Sequence, residues 1–147
     1  MGQLSDGERE YASTDHYVIH LSESVVRVLM HRSMSIEEQT AYNAVLTRIM
    51  THEFRGVRRG VVLDAKHFTK QTAMHRKLAA DWMAEHEALL KKTTMGVALV
   101  FDNALMRGAL QAVLWMQPMP VPHRVFSTME EAEGWVEGFY IEQQYAV

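Results

Sequence analysis

Two short stretches hold the residue types that could do chemistry. Asp64, Lys66 and His67 follow the apolar run Gly60 to Leu63, and Asp102, Asn103 and Arg107 follow the run Gly96 to Phe101. Each run has the composition of a buried strand, and each polar group leads into a helical pattern. Both groups therefore stand where open α/β sheets gather ligands, beyond the carboxyl ends of the strands. Carboxylates, cations and two helix N-termini in one neighbourhood would suit a polar ligand or a phosphate. The same residue types have a plainer use, with Asp102 and Thr72 capping helices, Asp64 ending a strand, and Lys66 and His67 standing in solvent.

Other chemistries find less support. The chain has 8 histidines but no His-Glu-x-x-His, and His52, His75 and His86 lack a second ligand one helical turn on, so no metal site is expected. There is no cysteine, which excludes thiolate catalysis, thiolate metal sites and disulfides. Asp64, His67 and Thr69 crowd into one short loop without a glycine-framed nucleophile elbow, so no catalytic residue is assigned and the chain reads as non-enzymatic. Arg55, Arg58 and Arg59 form the densest basic cluster, with Lys70, Arg76 and Lys77 as a second. Neither is interleaved with aromatic residues, and the net charge is −3, so nucleic acid is not expected as a partner.

The positioning elements are legible from periodicity. Tyr17 to Leu21 and Val25 to Met30 are β-rich runs parted by Ser22-Glu23-Ser24, an antiparallel hairpin. Ser35 and Glu38 form a capping box for a helix running to about Phe54 with Tyr42, Leu46, Ile49 and Met50 on one face. Gly60 to Asp64 reads as a strand buried on both faces. Thr72 starts a helix that runs to about Lys92, with Leu78, Trp82 and Leu89 toward the core. A strand from about Met95 to Phe101 ends at Asp102, which can cap a helix from Asn103 to Met116. Pro118, Pro120 and Pro122 break that helix and lead into the strand His123 to Phe126. Ser127 and Glu130 then make a capping box for a last helix burying Ala132, Trp135, Val136 and Phe139.

The order β-β-α-β-α-β-α-β-α predicts an α/β fold with a mixed, mostly parallel sheet of about five strands and four helices. At 147 residues and 48% hydrophobic composition, one domain is expected over 16–147. Residues 1–15 are polar and read as a mobile lead-in. Met1-Gly2 fails the myristoylation pattern at Asp6, and no apolar run reaches the length of a membrane span, which points to a cytoplasmic protein.

The helix Asn103 to Met116 is apolar nearly all round. Such a helix is covered on more than one side, by its own fold or by a partner. Leu105, Met106, Trp115 and Met116 are the candidate contacts, with a second copy of the chain as the expected partner. An apolar or lipid-like small molecule is the alternative occupant.

In the order of these elements, the chain resembles the SpoIIAA-like superfamily. The resemblance rests on Val61-Val62-Leu63-Asp64, Val97-Ala98-Leu99-Val100, and Val125-Phe126 followed by Glu130, Glu131, Ala132 and Trp135. That superfamily includes the STAS domains of anti-sigma factor antagonists and stand-alone bacterial proteins related to STAS/SEC14 domains. The resemblance implies a bacterial regulatory module that binds protein and needs no cofactor, and its SEC14 side implies a lipid-like ligand. In STAS antagonists a serine is phosphorylated at the start of the helix after the central strand. Here the Asp-Ser-Ser-Gly pattern is absent and Thr69 is the nearest stand-in, which favours the stand-alone branch.

Overall fold

In a computed structural model the chain is described over residues 7–54, 58–67 and 71–145. Six strands make one sheet in sequence order: β1 (Arg9–Ser13), β2 (Tyr17–Leu21), β3 (Val25–Met30), β4 (Arg59–Asp64), β5 (Thr94–Val100) and β6 (His123–Phe126). β1, β2 and β3 pair antiparallel, and β3 through β6 pair parallel. The parallel half is joined by α1 (Ile36–His52), α2 (Ala73–Glu85), α3 (Glu87–Thr93) and α4 (Ala104–Met116), and α5 (Met129–Tyr145) closes the chain.

Local chemistry sets the element ends. Ser35 Oγ accepts from Glu38 N (3.1 Å) while Glu38 Oε1 accepts from Ser35 N (2.8 Å), which completes the expected box. Those bonds hold the Glu38 carboxyl below its usual range. Thr72 caps α2 as expected, with His75 in the role a glutamate usually fills, its Nδ1 accepting from Thr72 N (3.1 Å). At β5 the chain enters α4 through Asn103, whose Oδ1 accepts from Met106 N (2.7 Å), so Asn103 rather than Asp102 is the cap. The final cap is Thr128, accepting from Glu131 N (3.3 Å), one residue beyond the expected Ser127 and Glu130.

Two further expectations are corrected. The helix predicted from Thr72 to Lys92 is two helices, because His86 leaves helical dihedrals and its ring donates back to Trp82 O (2.8 Å). The sheet has six strands because β1 lies inside the segment predicted as a mobile lead-in. Its polar sequence hides one tie: Glu8 buries its carboxylate, 3% exposed, against Arg27 Nη1 (3.0 Å) and His20 Nδ1 (3.3 Å). Arg27 also reaches Glu133 on α5 (2.5 Å). Residues 1–6, including the failed acylation pattern, lie outside the described residues.

The two faces of the sheet are covered unequally. α5 alone lies over β4, β5 and β6, where Val62, Ala98 and Val100 meet Ala132 and Val136. Its close approach needs the register pair Gly60 and Gly96: Val136 fills the space of a Cβ at Gly60, and the Phe139 ring lies 3.1 Å from one at Gly96. On the opposite face Ile19, Val28, Leu63, Val97 and Leu99 lie beneath the layer of α1 to α4.

Candidate functional site

The strand-end residues are engaged locally or stand exposed. Asp64 Oδ1 accepts from Lys66 N (3.1 Å) and the Lys66 ammonium lies 4.0 Å from Asp64, so this pair closes its own turn. His67, Asp102 and Arg107 are exposed, and Asn103 is used as the α4 cap. Thr69 lies outside the described residues. Groups of His, Asp and Glu able to hold a metal are absent among the described residues. Arg55 and Lys70 of the basic clusters lie outside the described residues, and other members serve the fold: Arg58 donates to Thr94 O (3.0 Å), and Arg59 to Ser22 O (2.9 Å) and Glu53 O (2.8 Å). Lys77 pairs with Asp81 (2.7 Å).

The concave site lies instead under the helical layer. A partly open cavity of about 220 Å³ lies between α1, α2 and α4 above and the ends of β3, β4 and β5 below. Met30, Met34, Met83, Met106 and Met119 line it, five of the chain's 11 methionines, along with Trp82 and Leu110. Unbranched thioether side chains fill irregular space and re-pack around varied occupants, so this lining is adaptable. A second apolar space of about 150 Å³ shares Tyr42, Leu46, Leu63 and Met83 with the first and runs on toward Phe54. A surface groove between α4 and the start of α2 shares Gln71, Met106 and Ala109 with the cavity.

Among the described residues, Gln39, Tyr42, Asn43 and Gln71 are the polar side chains that line the cavity, and His75 lies behind Gln39. His75 is buried between helices, and its Nε2 donates to Met34 O (2.6 Å), a tautomer required by the acceptor role of Nδ1 toward Thr72 N. Gln39 Nε2 donates to His75 O (3.1 Å). Burial pushes the Tyr42 phenol well above its ordinary range, so it stays neutral. Its ring meets that of Tyr17 edge-on at 5.0 Å.

α4 divides the predicted contact residues between two environments. Met106 and Val113 turn inward and are buried, so Met106 belongs to the cavity wall and not to an outer surface. Leu105, Trp115 and Met116 turn outward and are 69%, 91% and 51% exposed. Sequence reading identified the helix as unusual but could not separate its two sides, since both are apolar. Gln39 was missed: a lone glutamine early in an amphipathic helix carries no signal of burial.

No family model matches the chain, and no curated protein matches it. A solved structure does: an uncharacterized protein of the DUF3478 family with a SpoIIAA-like fold, from Shewanella loihica, at a TM-score of 0.56. The likeness covers 92% of this chain and 99% of that one, at 14% identity. The fold is SpoIIAA-like. In this SpoIIAA-like fold Gln71 and the start of α2 lie beside the N-terminal part of α4, and the groove runs between them. Among the described residues no helix is long and apolar enough to cross a membrane.

Proposed function

We propose that this protein is a non-catalytic, STAS-like interaction module that associates with a second copy through the outer side of α4. The observation that carries the reading is the exposure of Trp115, at 91%, in line with Leu105 and Met116. Burying one such side chain is worth about 1.5–3 kcal/mol, so leaving three in water is costly unless a partner covers them. The same side of the helix holds Gly108 and Ala112, and a side chain at Gly108 would meet nothing within 4 Å. Bulky and small positions on one stripe are self-complementary, as a two-fold interface requires. The test is native mass by light scattering and gentle mass spectrometry for the wild type and Leu105→Glu. A dimer that becomes a folded monomer in the variant supports the reading; a monomeric wild type overturns it.

A second reading, binding of a small apolar molecule, is favoured by the cavity. Its lining is almost wholly apolar and it is open to the surface, so an apolar body entering it would displace poorly bonded water. An engineered cavity of about 150 Å³ already holds benzene, so this one accommodates a larger body. The two readings are compatible because they use opposite sides of α4. Naphthalene titrated into the protein tests the second directly: saturable binding supports it, and its absence removes it.

A further inference from the structure

We infer that the cavity under α4 takes the tail of a single-chain anionic amphiphile, whose carboxylate sits on Arg76 in the adjoining groove. This rests on the small-molecule reading above and specifies the ligand class. Arg76 is half-buried in the α2 wall of the groove, and among the described residues it is the one charged side chain that lines either space. Its Nη1 donates to Gln71 O at 3.4 Å, a long contact, and no carboxylate among the described residues pairs with it. Most of its five N–H donors are therefore open, in the forked arrangement that holds a carboxylate through two bonds. No Asp or Glu among the described residues lines the groove or the cavity to oppose an anion there.

The groove and the cavity have a common wall in Gln71, Met106 and Ala109. A carboxylate on Arg76 therefore leaves its tail beside residues that already line the cavity. A cavity of about 150 Å³ holds the six carbons of benzene, so in proportion 220 Å³ takes roughly nine. The second apolar space continues from Tyr42 and Met83 toward Phe54, so the room is elongated and suits a chain. The polar groups of the cavity set no sign of charge: Gln39, Asn43 and Gln71 are neutral amides, and burial keeps the Tyr42 phenol neutral. The choice among acid, alcohol and amine thus falls to Arg76, and the choice of an amphiphile over a small free anion falls to the tail. Each buried methylene contributes roughly fourfold in affinity until the space is full. Lys66 and Arg107, the cations expected to meet an acidic head group, line neither space.

The experiment is calorimetric titration of decanoate, 1-decanol, acetate and naphthalene, all below micelle-forming concentrations, into the wild type and Arg76→Gln. Decanoate should bind the wild type about tenfold more tightly than 1-decanol does. In Arg76→Gln decanoate should lose about tenfold, while 1-decanol and naphthalene keep their affinities. Acetate should show no saturable binding where decanoate saturates, which separates an amphiphile from a free carboxylate. In wild-type protein with ¹³C-labelled methionine methyls, decanoate should shift Met83 and Met106 of the cavity and not the exposed Met74 and Met116, a readout independent of whether the variant folds. Equal affinity for decanoate and 1-decanol in both proteins, acetate binding as tightly as decanoate, or decanoate shifts confined to Met74 and Met116 each overturns the inference; naphthalene binding in those cases leaves the cavity as a site for apolar molecules. Failure of both naphthalene and decanoate to bind overturns both.

Discussion

Val136 of α5 occupies the space that any side chain at Gly60 of β4 would need. This one relationship seats α5 on the sheet, because Gly60 pairs in register with Gly96, where a Cβ would press on the Phe139 ring. Gly60→Ala should destabilise the fold by about 1–3 kcal/mol through overpacking. Urea unfolding of Gly60→Ala alone and together with Val136→Ala measures it. The double variant should recover part of the overpacking loss, because the residues share one space and their effects are not additive.

On either side of Val136 in the same helix, glycine serves no packing purpose. Added Cβ atoms at Gly134 and Gly138 would meet nothing within 4 Å. Gly134→Ala and Gly138→Ala should each stabilise the protein by roughly 0.5–1 kcal/mol, the helix-propensity difference between the two residues. A rise in urea midpoint with unchanged slope is the expected result.

The ion cluster behind β3 should be sensitive to loss of its cation. Arg27 bonds Glu8, whose carboxylate is nearly inaccessible, and Glu133 of α5. Arg27→Met should cost roughly 3 kcal/mol, because a buried carboxylate loses its guanidinium partner. Hydrogen exchange should show the added opening first in β1, which this cluster holds beside β2.

Alkaline pH should unfold the protein sooner than its surface charge alone would dictate. Burial raises the Tyr42 phenol above its ordinary value of 10.0, and burial raises Tyr17 against the opposing charge of Arg48. Above about pH 10 the unfolded chain releases these protons and the folded chain does not, so stability falls as pH rises. Tyr42→Phe should keep a larger fraction of its neutral-pH stability at about pH 11, measured by denaturant unfolding at each pH.

The elements that were legible carry their signal in a few adjacent residues. Ser35 with Glu38, Thr72 as a cap, and the hairpin turning at Ser22 to Ser24 are local in chemistry, and they stand where the sequence places them. The misplaced ends are those with equally good neighbours: Asp102 beside Asn103, and Ser127 beside Thr128, differ by one residue, and backbone geometry selects between them. His86 broke a helix that periodicity alone would continue. The strand-end cluster was legible as composition but not as a site, because Asp64 and Lys66 satisfy one another within a turn.

The sequence by itself determined the alternation of strands and helices from β2 onward, the caps at Ser35 and Thr72 and the apolar character of α4, since each depends on residues within a turn or two of one another. Tertiary structure decided what no local pattern carries. It buried Glu8 against Arg27 and so added β1 to the sheet, turned Met106 inward and Trp115 outward on one apolar helix, and left an apolar, methionine-lined space under the helical layer. The physical reason is that burial of a charge, the side a uniform helix shows to the core, and the space under a helical layer are set by partners distant in the chain.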